Sequence, residues 1–247
     1  MLFPIVTYKT FRGGEHGVEH ITITYHFTLA NGSEKVFLIE LDPTTLEPVG
    51  GLPDRLPAWA ELGFHQCPHC PLSADAHPHC PLAARIVDIE CRFDDILSFE
   101  EVHLEVITRE RIVSQDMPTQ KCLSSLMGLV MATCGCPVTA FLKPMARFHL
   151  PLAGKEETLY RATSMYLLSR YLLKKKGRAA ELELEGLMKI YHDLQILNAS
   201  VSSRLNAVTH TDSLANAIMI LDVYTNTLPR AIEHSLEEIR HLFSAYY

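Results

Sequence analysis

The chain has 247 residues, 47% hydrophobic and 21% charged, which is ordinary for a globular protein of one large or two small domains. With 22 basic against 29 acidic residues the net charge is −7, which argues against a general nucleic-acid-binding surface. No run reaches the roughly eighteen apolar residues of a membrane span, the polar stretch after Met1 does not fit a signal peptide, and an odd count of seven cysteines suits a reducing cytoplasm.

Residues 4–11 read as a short strand. Residues 20–28 alternate, with Ile21, Ile23, Tyr25 and Phe27 on one face and Thr22, Thr24, His26 and Thr28 on the other. His26 is expected to face solvent. Asn31-Gly32 is a hairpin signal, and 35–41 return as the next strand of an antiparallel meander. Residues 42–66 are rich in proline and glycine, and Trp59 is expected to plug the base of the segment that follows.

That segment, Cys67-Pro-His-Cys70-Pro-Leu-Ser-Ala-Asp-Ala-His77-Pro-His79-Cys80-Pro, holds three cysteines and three histidines. Cys67, Cys70, Cys80 and the distant Cys136 are each followed directly by proline. Proline fixes the chain as it leaves the cysteine and offers no N–H of its own. A Cys-x-x-Cys pair lets two sulfurs reach one ion about 2.3 Å away. The expected metal ligands are therefore Cys67, Cys70, Cys80 and Cys136, with His79 as the main rival for the fourth place and His77, His65 and His69 behind it. The bland alternatives are a redox dithiol, which lacks its βαβ context here, a disulfide framework, which lacks a signal peptide, and ordinary loop cysteines.

After Pro81 the spacing again suggests strands. Val87, Ile89, Cys91 and Phe93 alternate with Asp88, Glu90 and Arg92, which puts Cys91 in the core. Residues 98–109 follow with Val102, Leu104 and Val106 inward and His103 and Glu105 outward. From Thr119, a candidate N-cap, the period is helical: Leu123, Leu126, Met127, Val130 and Cys134 share a stripe, and Gly135 suits a left-handed helix end just before Cys136. Pro144 is expected to break or kink the segment 138–150. A helix over 155–176 carries Ala162, Met165, Leu168 and Leu172 on one face, with Glu157 and Arg161 as a helix pair, and its basic end, Lys174 to Arg178, suits the helix dipole. A longer one over 180–208 carries Leu187, Ile190, Tyr191, Leu194, Asn198, Val201 and Leu205. Asp212 or Thr211 caps another, with Leu214, Ala217, Ile218, Leu221 and Thr225. Pro229 is expected to start the last helix, whose stripe is Ile232, Leu236, Ile239, Phe243 and Tyr246. The fold class is thus α+β: an N-terminal antiparallel β region (1–110) with a cysteine-rich loop (65–81), then a C-terminal helical bundle (111–247), joined as one unit through Cys136.

Several phrases resemble those of an uncharacterised bacterial protein family: Cys67-x-x-Cys70-Pro-Leu, His79-Cys80-Pro, Gly135-Cys136-Pro, Lys143-Pro-Met-Ala-Arg-Phe-His149-Leu-Pro, Glu157-Thr-x-Tyr-Arg161 and Ser235-Leu-Glu-Glu-Ile-Arg-His-Leu-Phe. The resemblance spans nearly the whole chain, which implies one complete protein, and it carries no activity.

The functional expectation is a cytoplasmic metal–thiolate protein. Zinc in a closed four-cysteine site would act structurally or as a regulatory module, and an iron–sulfur cluster on the same cysteines is the alternative. The helical half would serve a homodimer or another protein partner. Arg147, His149 and Arg161 form a second constellation, with Arg204, Asn198 and Asp222 near apolar stripes. It reads either as an internal polar network or as a pocket in which the arginines hold a small anion and His149 acts as acid or base. No phosphate-cradling glycine loop, dinucleotide fingerprint, Gly-x-Ser-x-Gly or His-Glu-x-x-His is present, and no Glu-x-x-His pair suits a di-iron site.

Overall fold

The alternation of residues 20–28 becomes β1 (Ile21–Leu29) in a computed structural model that describes residues 19–208, 210–234, 236–237 and 239–247. The strand expected over 4–11 lies outside the described residues. Gly32, with φ of +81°, turns the chain at Asn31-Gly32 into β2 (Glu34–Leu41), which pairs antiparallel with β1. β3 (Glu101–Ile107) takes the other edge of β1, and β4 (Ile112–Pro118) pairs with β3, giving an antiparallel sheet of order β2-β1-β3-β4. Its inner face buries Ile23, Tyr25, Phe27, Val102, Leu104 and Val106. On the outer face His26 sits 3.2 Å from Glu34 and 3.5 Å from Glu105, and His103 lies 2.7 Å from Asp116.

The alternation at 87–93 does not form a strand. Residues 81–93 are helix α1 (Pro81–Phe93), with Pro81 in its first turn and Cys80 as N-cap. Leu82, Ala83, Ile86, Val87, Ile89 and Phe93 are buried at helical spacing, and Cys91, expected in the core, points to solvent. α2 (Thr119–Thr133) starts one residue earlier than a Thr119 cap would require: Pro118 is the N-cap, and the Thr119 hydroxyl donates instead to the Glu100 carbonyl. Gly135, at φ +87°, ends it in the left-handed conformation.

Pro144 does not break its segment but sits in the first turn of the short α3 (Lys143–Arg147). α4 (Lys155–Lys175) buries Leu159, Ala162, Thr163 and Tyr166, whereas Leu168 and Leu172 of the expected stripe are exposed. α5 (Glu185–Asn206) buries the expected Leu187, Tyr191, Leu194, Asn198, Val201 and Leu205. α6 (Ser213–His234) follows Asp212, whose carboxylate accepts from the Ser98 N–H and hydroxyl and from Asn216. Those bonds hold the Asp212 carboxyl below its ordinary range.

Pro229 lies inside α6 rather than at the start of a new helix. A proline there has no N–H for the carbonyl of Thr225, four residues back. Gln195 of α5 supplies the missing donor, its Nε2 lying 2.9 Å from that carbonyl. α6 continues past Pro229 to His234, and Arg240–Tyr246 form a 3-10 turn in which Tyr246 is exposed.

The main apolar cluster joins the inner sheet face to α1, α2, the C-terminal part of α5 and the start of α6. A second joins α4 to the N-terminal part of α5. No helix among the described residues is long and apolar enough to cross a membrane.

Candidate functional site

The cysteine loop is held by the backbone on both sides. Leu62 N–H donates to Pro78, Cys80 N–H donates to Ala60, and the Cys70 N–H closes a turn onto the Cys67 carbonyl. Trp59 is buried beneath it, in a 3-10 turn spanning Ala58–Ala60. Cys80 caps α1, a position where the helix dipole favours negative charge. Cys136 follows the left-handed Gly135 and enters from the end of α2.

These segments bring Cys67, Cys70, Cys80 and Cys136 to the wall of one small cavity of about 20 Å³, shared with Ser200 and Arg204 of α5. All seven cysteines are free thiols. Burial pushes Cys67 above its ordinary range and Cys136 up to about 11. The thiols line the cavity rather than meet at its centre: among the described residues, no group of three or more His, Cys, Asp or Glu is arranged to hold a metal ion. Of the rival histidines, His65 and His77 are exposed and His79 is half-buried. His69, between Cys67 and Cys70, has both ring nitrogens buried without a partner. Cys134, beside the set, donates to the Met131 carbonyl and belongs to the core.

Arg204 is the residue that sequence reasoning misplaced. It is 2% exposed and faces the loop, not the helical pocket. Its guanidinium donates to the carbonyls of Trp59 at 2.5 Å, Glu61 at 2.8 Å and Leu62 at 3.0 Å, and its charge lies near Cys67, Cys70 and Cys80. An arginine beside an apolar helix stripe, seven residues after Leu197, carried only the weak signal that something must accept its five donors.

The second constellation divides. Arg147 points outward over the Phe148 ring. His149 and Arg161 line a cavity of about 460 Å³ where the two apolar clusters meet. Arg161 donates to the Met145 and Phe148 carbonyls at 3.0 and 2.9 Å. The expected Glu157–Arg161 pair does not form; the Glu157 carboxylate instead accepts from the N-cap Gly154 N–H, 2.7 Å away. The His149 Nε2 lies 2.6 Å from the Tyr25 hydroxyl, which is also 2.9 Å from Ser125. Burial, reinforced by the Arg161 charge, pushes the His149 pKa down to about 4.

With its pKa depressed, His149 is neutral and a poor proton donor at neutral pH, and it stands in the cavity wall bonded to the Tyr25 hydroxyl. It has a consequence for stability. The unfolded imidazole titrates near 6.5, so between that pH and about 4 the unfolded chain holds a proton that the folded one rejects. The contribution of neutral His149 is therefore complete above the unfolded value and is lost as pH falls toward 4. Urea titrations across this window are expected to show His149→Gln less acid-sensitive than the parent; parallel pH profiles for the two would refute the assignment.

A family described as a domain of unknown function (DUF6901) matches residues 23–244. No curated protein and no solved structure matches the chain.

Proposed function

We propose that this chain, which belongs to the DUF6901 family, is a metal–thiolate protein in which Cys67, Cys70, Cys80 and Cys136 hold one zinc ion. The reading rests on one observation: the four cysteines that precede proline, and Ser200 and Arg204 beside them, border a single cavity although they come from the loop, the start of α1 and the end of α2. A volume near 20 Å³ suits a single ion. An iron–sulfur cluster, the alternative, would need the walls to part. Four thiolates around one divalent ion leave an excess of negative charge, and Arg204 lies close enough to offset part of it. The thiols must lose protons and close inward on binding.

Such a site leaves no open position for a substrate, so its role is to clasp the loop to α2 and α5. In a reducing cytoplasm the thiols stay available to the metal. The helical half then serves as an interaction surface. Tyr160, Leu167, Leu168, Tyr171 and Leu172 form an exposed apolar stripe on α4, a face suited to a second copy of this chain.

The test is elemental analysis and a visible spectrum of protein purified without oxygen, with sedimentation of the same sample. One zinc per chain and no colour is the expected result. Several irons with a broad visible band would replace zinc by the cluster, and no metal would overturn the proposal.

A further inference from the structure

The larger cavity is remote in character from the thiol site. Half of its lining residues are aliphatic, Met131, Leu150, Leu194 and Leu221 among them. Its volume of about 460 Å³ falls within the range of small-molecule sites. Its charge is one-sided. Among the described residues no acidic side chain lines this cavity; its lining residues of permanent charge are two cations, Lys121 and Arg161. Arg161 is half-buried and, among the described residues, has no carboxylate within 4.0 Å. Its Nη2 atom serves the two carbonyls, which leaves Nε and Nη1 to face a ligand.

A second polar group is left over. Asn198, 1% exposed, donates from Nδ2 to the Thr225 hydroxyl at 3.3 Å, but its Oδ1 is buried with no partner. A buried acceptor left unbonded is costly, and a ligand donor would relieve it. Arg161 lies beside Tyr191, and Tyr191 and Asn198 are seven residues apart on α5, about 10 Å along the axis. The cation and the orphaned acceptor therefore line the same cavity, about two helical turns apart along α5.

We propose that this cavity binds a linear amphipathic monocarboxylic acid, its carboxylate on Arg161, its apolar chain along Leu194 and Leu221, and a hydrogen-bond donor at its far end on Asn198 Oδ1. Recognition is by binding alone, and no reaction is assigned. The neutral His149 braces the wall through Tyr25.

Isothermal titration of the full chain with ω-hydroxydecanoate tests this, with decanediol as the uncharged control of equal length. Saturable binding of the acid is expected, with the diol and the variant Arg161→Met each about ten- to a hundred-fold weaker, the range for losing a charge-assisted hydrogen-bond pair. Arg161 also ties down α3, so a variant that fills the cavity without touching a polar group serves as the second probe. Gly128 lines the cavity from the middle of α2, and a Cβ there would meet only the Leu221 side chain, at 3.8 Å. Gly128→Leu should abolish binding while leaving the melting temperature unchanged or raised, since leucine favours a helix interior over glycine. Absence of saturable heat, a diol that binds as tightly as the acid, or binding that survives in folded Gly128→Leu would each overturn the proposal.

Discussion

Cys136→Ser is expected to lose its metal and its stability together. Serine offers a weak hard ligand in place of a thiolate, and the remaining three sulfurs belong to one loop, so the tie between that loop and the end of α2 is cut. Apparent binding energies of structural zinc start at about 10 kcal/mol, so a loss of about 3–5 kcal/mol is a modest share, and it corresponds to a fall of about 10 °C in melting temperature for a chain of this size. Cys134→Ser and Cys91→Ser bound the effect: one sulfur is committed to the Met131 carbonyl and the other faces solvent, so both variants should keep full metal. Metal content and melting temperature measured on the three proteins decide the matter. Full metal in Cys136→Ser would move the fourth ligand to a histidine, with His69 and His79 next to be replaced.

The second large effect belongs to Arg204. Its three donors are the partners of the Trp59, Glu61 and Leu62 carbonyls, at a site with little access to water. Arg204→Met keeps the apolar stem and strands those acceptors, at an expected cost of about 3–5 kcal/mol. Arg204→Lys should rescue little, because a single ammonium on a flexible stem cannot reproduce a planar fork aimed at three carbonyls. Guanidinium denaturation gives the stability directly. A midpoint for Arg204→Met close to that of the parent would show that the loop is held by something else.

Arg204 also shows where sequence reading stops. Helical periodicity placed it near an apolar stripe but said nothing of the partner, which lies more than a hundred residues earlier in the chain. Elsewhere the patterns were informative where one face alone was buried. β1 and α5 bury the residues their periods select, apart from the half-buried Ile21 and Ile190, and Gly32 and Gly135 adopt the left-handed conformations their positions require. β4 left almost no trace because it is an edge strand with a largely polar, exposed sequence, Ile112 to Pro118. α1 was misread because a window of seven residues with apolar positions at 87, 89 and 93 fits both periods; Pro81 at the first turn was the stronger signal. α4 has apolar side chains on several faces, so its sequence did not select the one that packs. Pro229 obeyed a sound local rule that Gln195, a neighbour in space, overrides.

The candidate sites divide in the same way. The recurring Cys-Pro dipeptides picked out the four thiols that share a cavity, since a cysteine's local backbone and its neighbours are written side by side. The larger cavity was legible only in part. His149 and Arg161 line it and Arg147 does not, because which way a residue on the short α3 points is fixed by packing and not by spacing.

The strand order has a kinetic consequence. The β1–β2 and β3–β4 hairpins close over short turns, but β1 meets β3 only after the chain from Leu41 to Glu101 has looped back, and that span contains the whole cysteine segment and α1. Pairing across so long a span has to bear its loop-closure entropy before any contact compensates for it, so this pairing is the slow search in folding. An ion captured early by Cys67, Cys70 and Cys80 would shorten the effective loop, so that the metal would guide the order of assembly as well as hold its product.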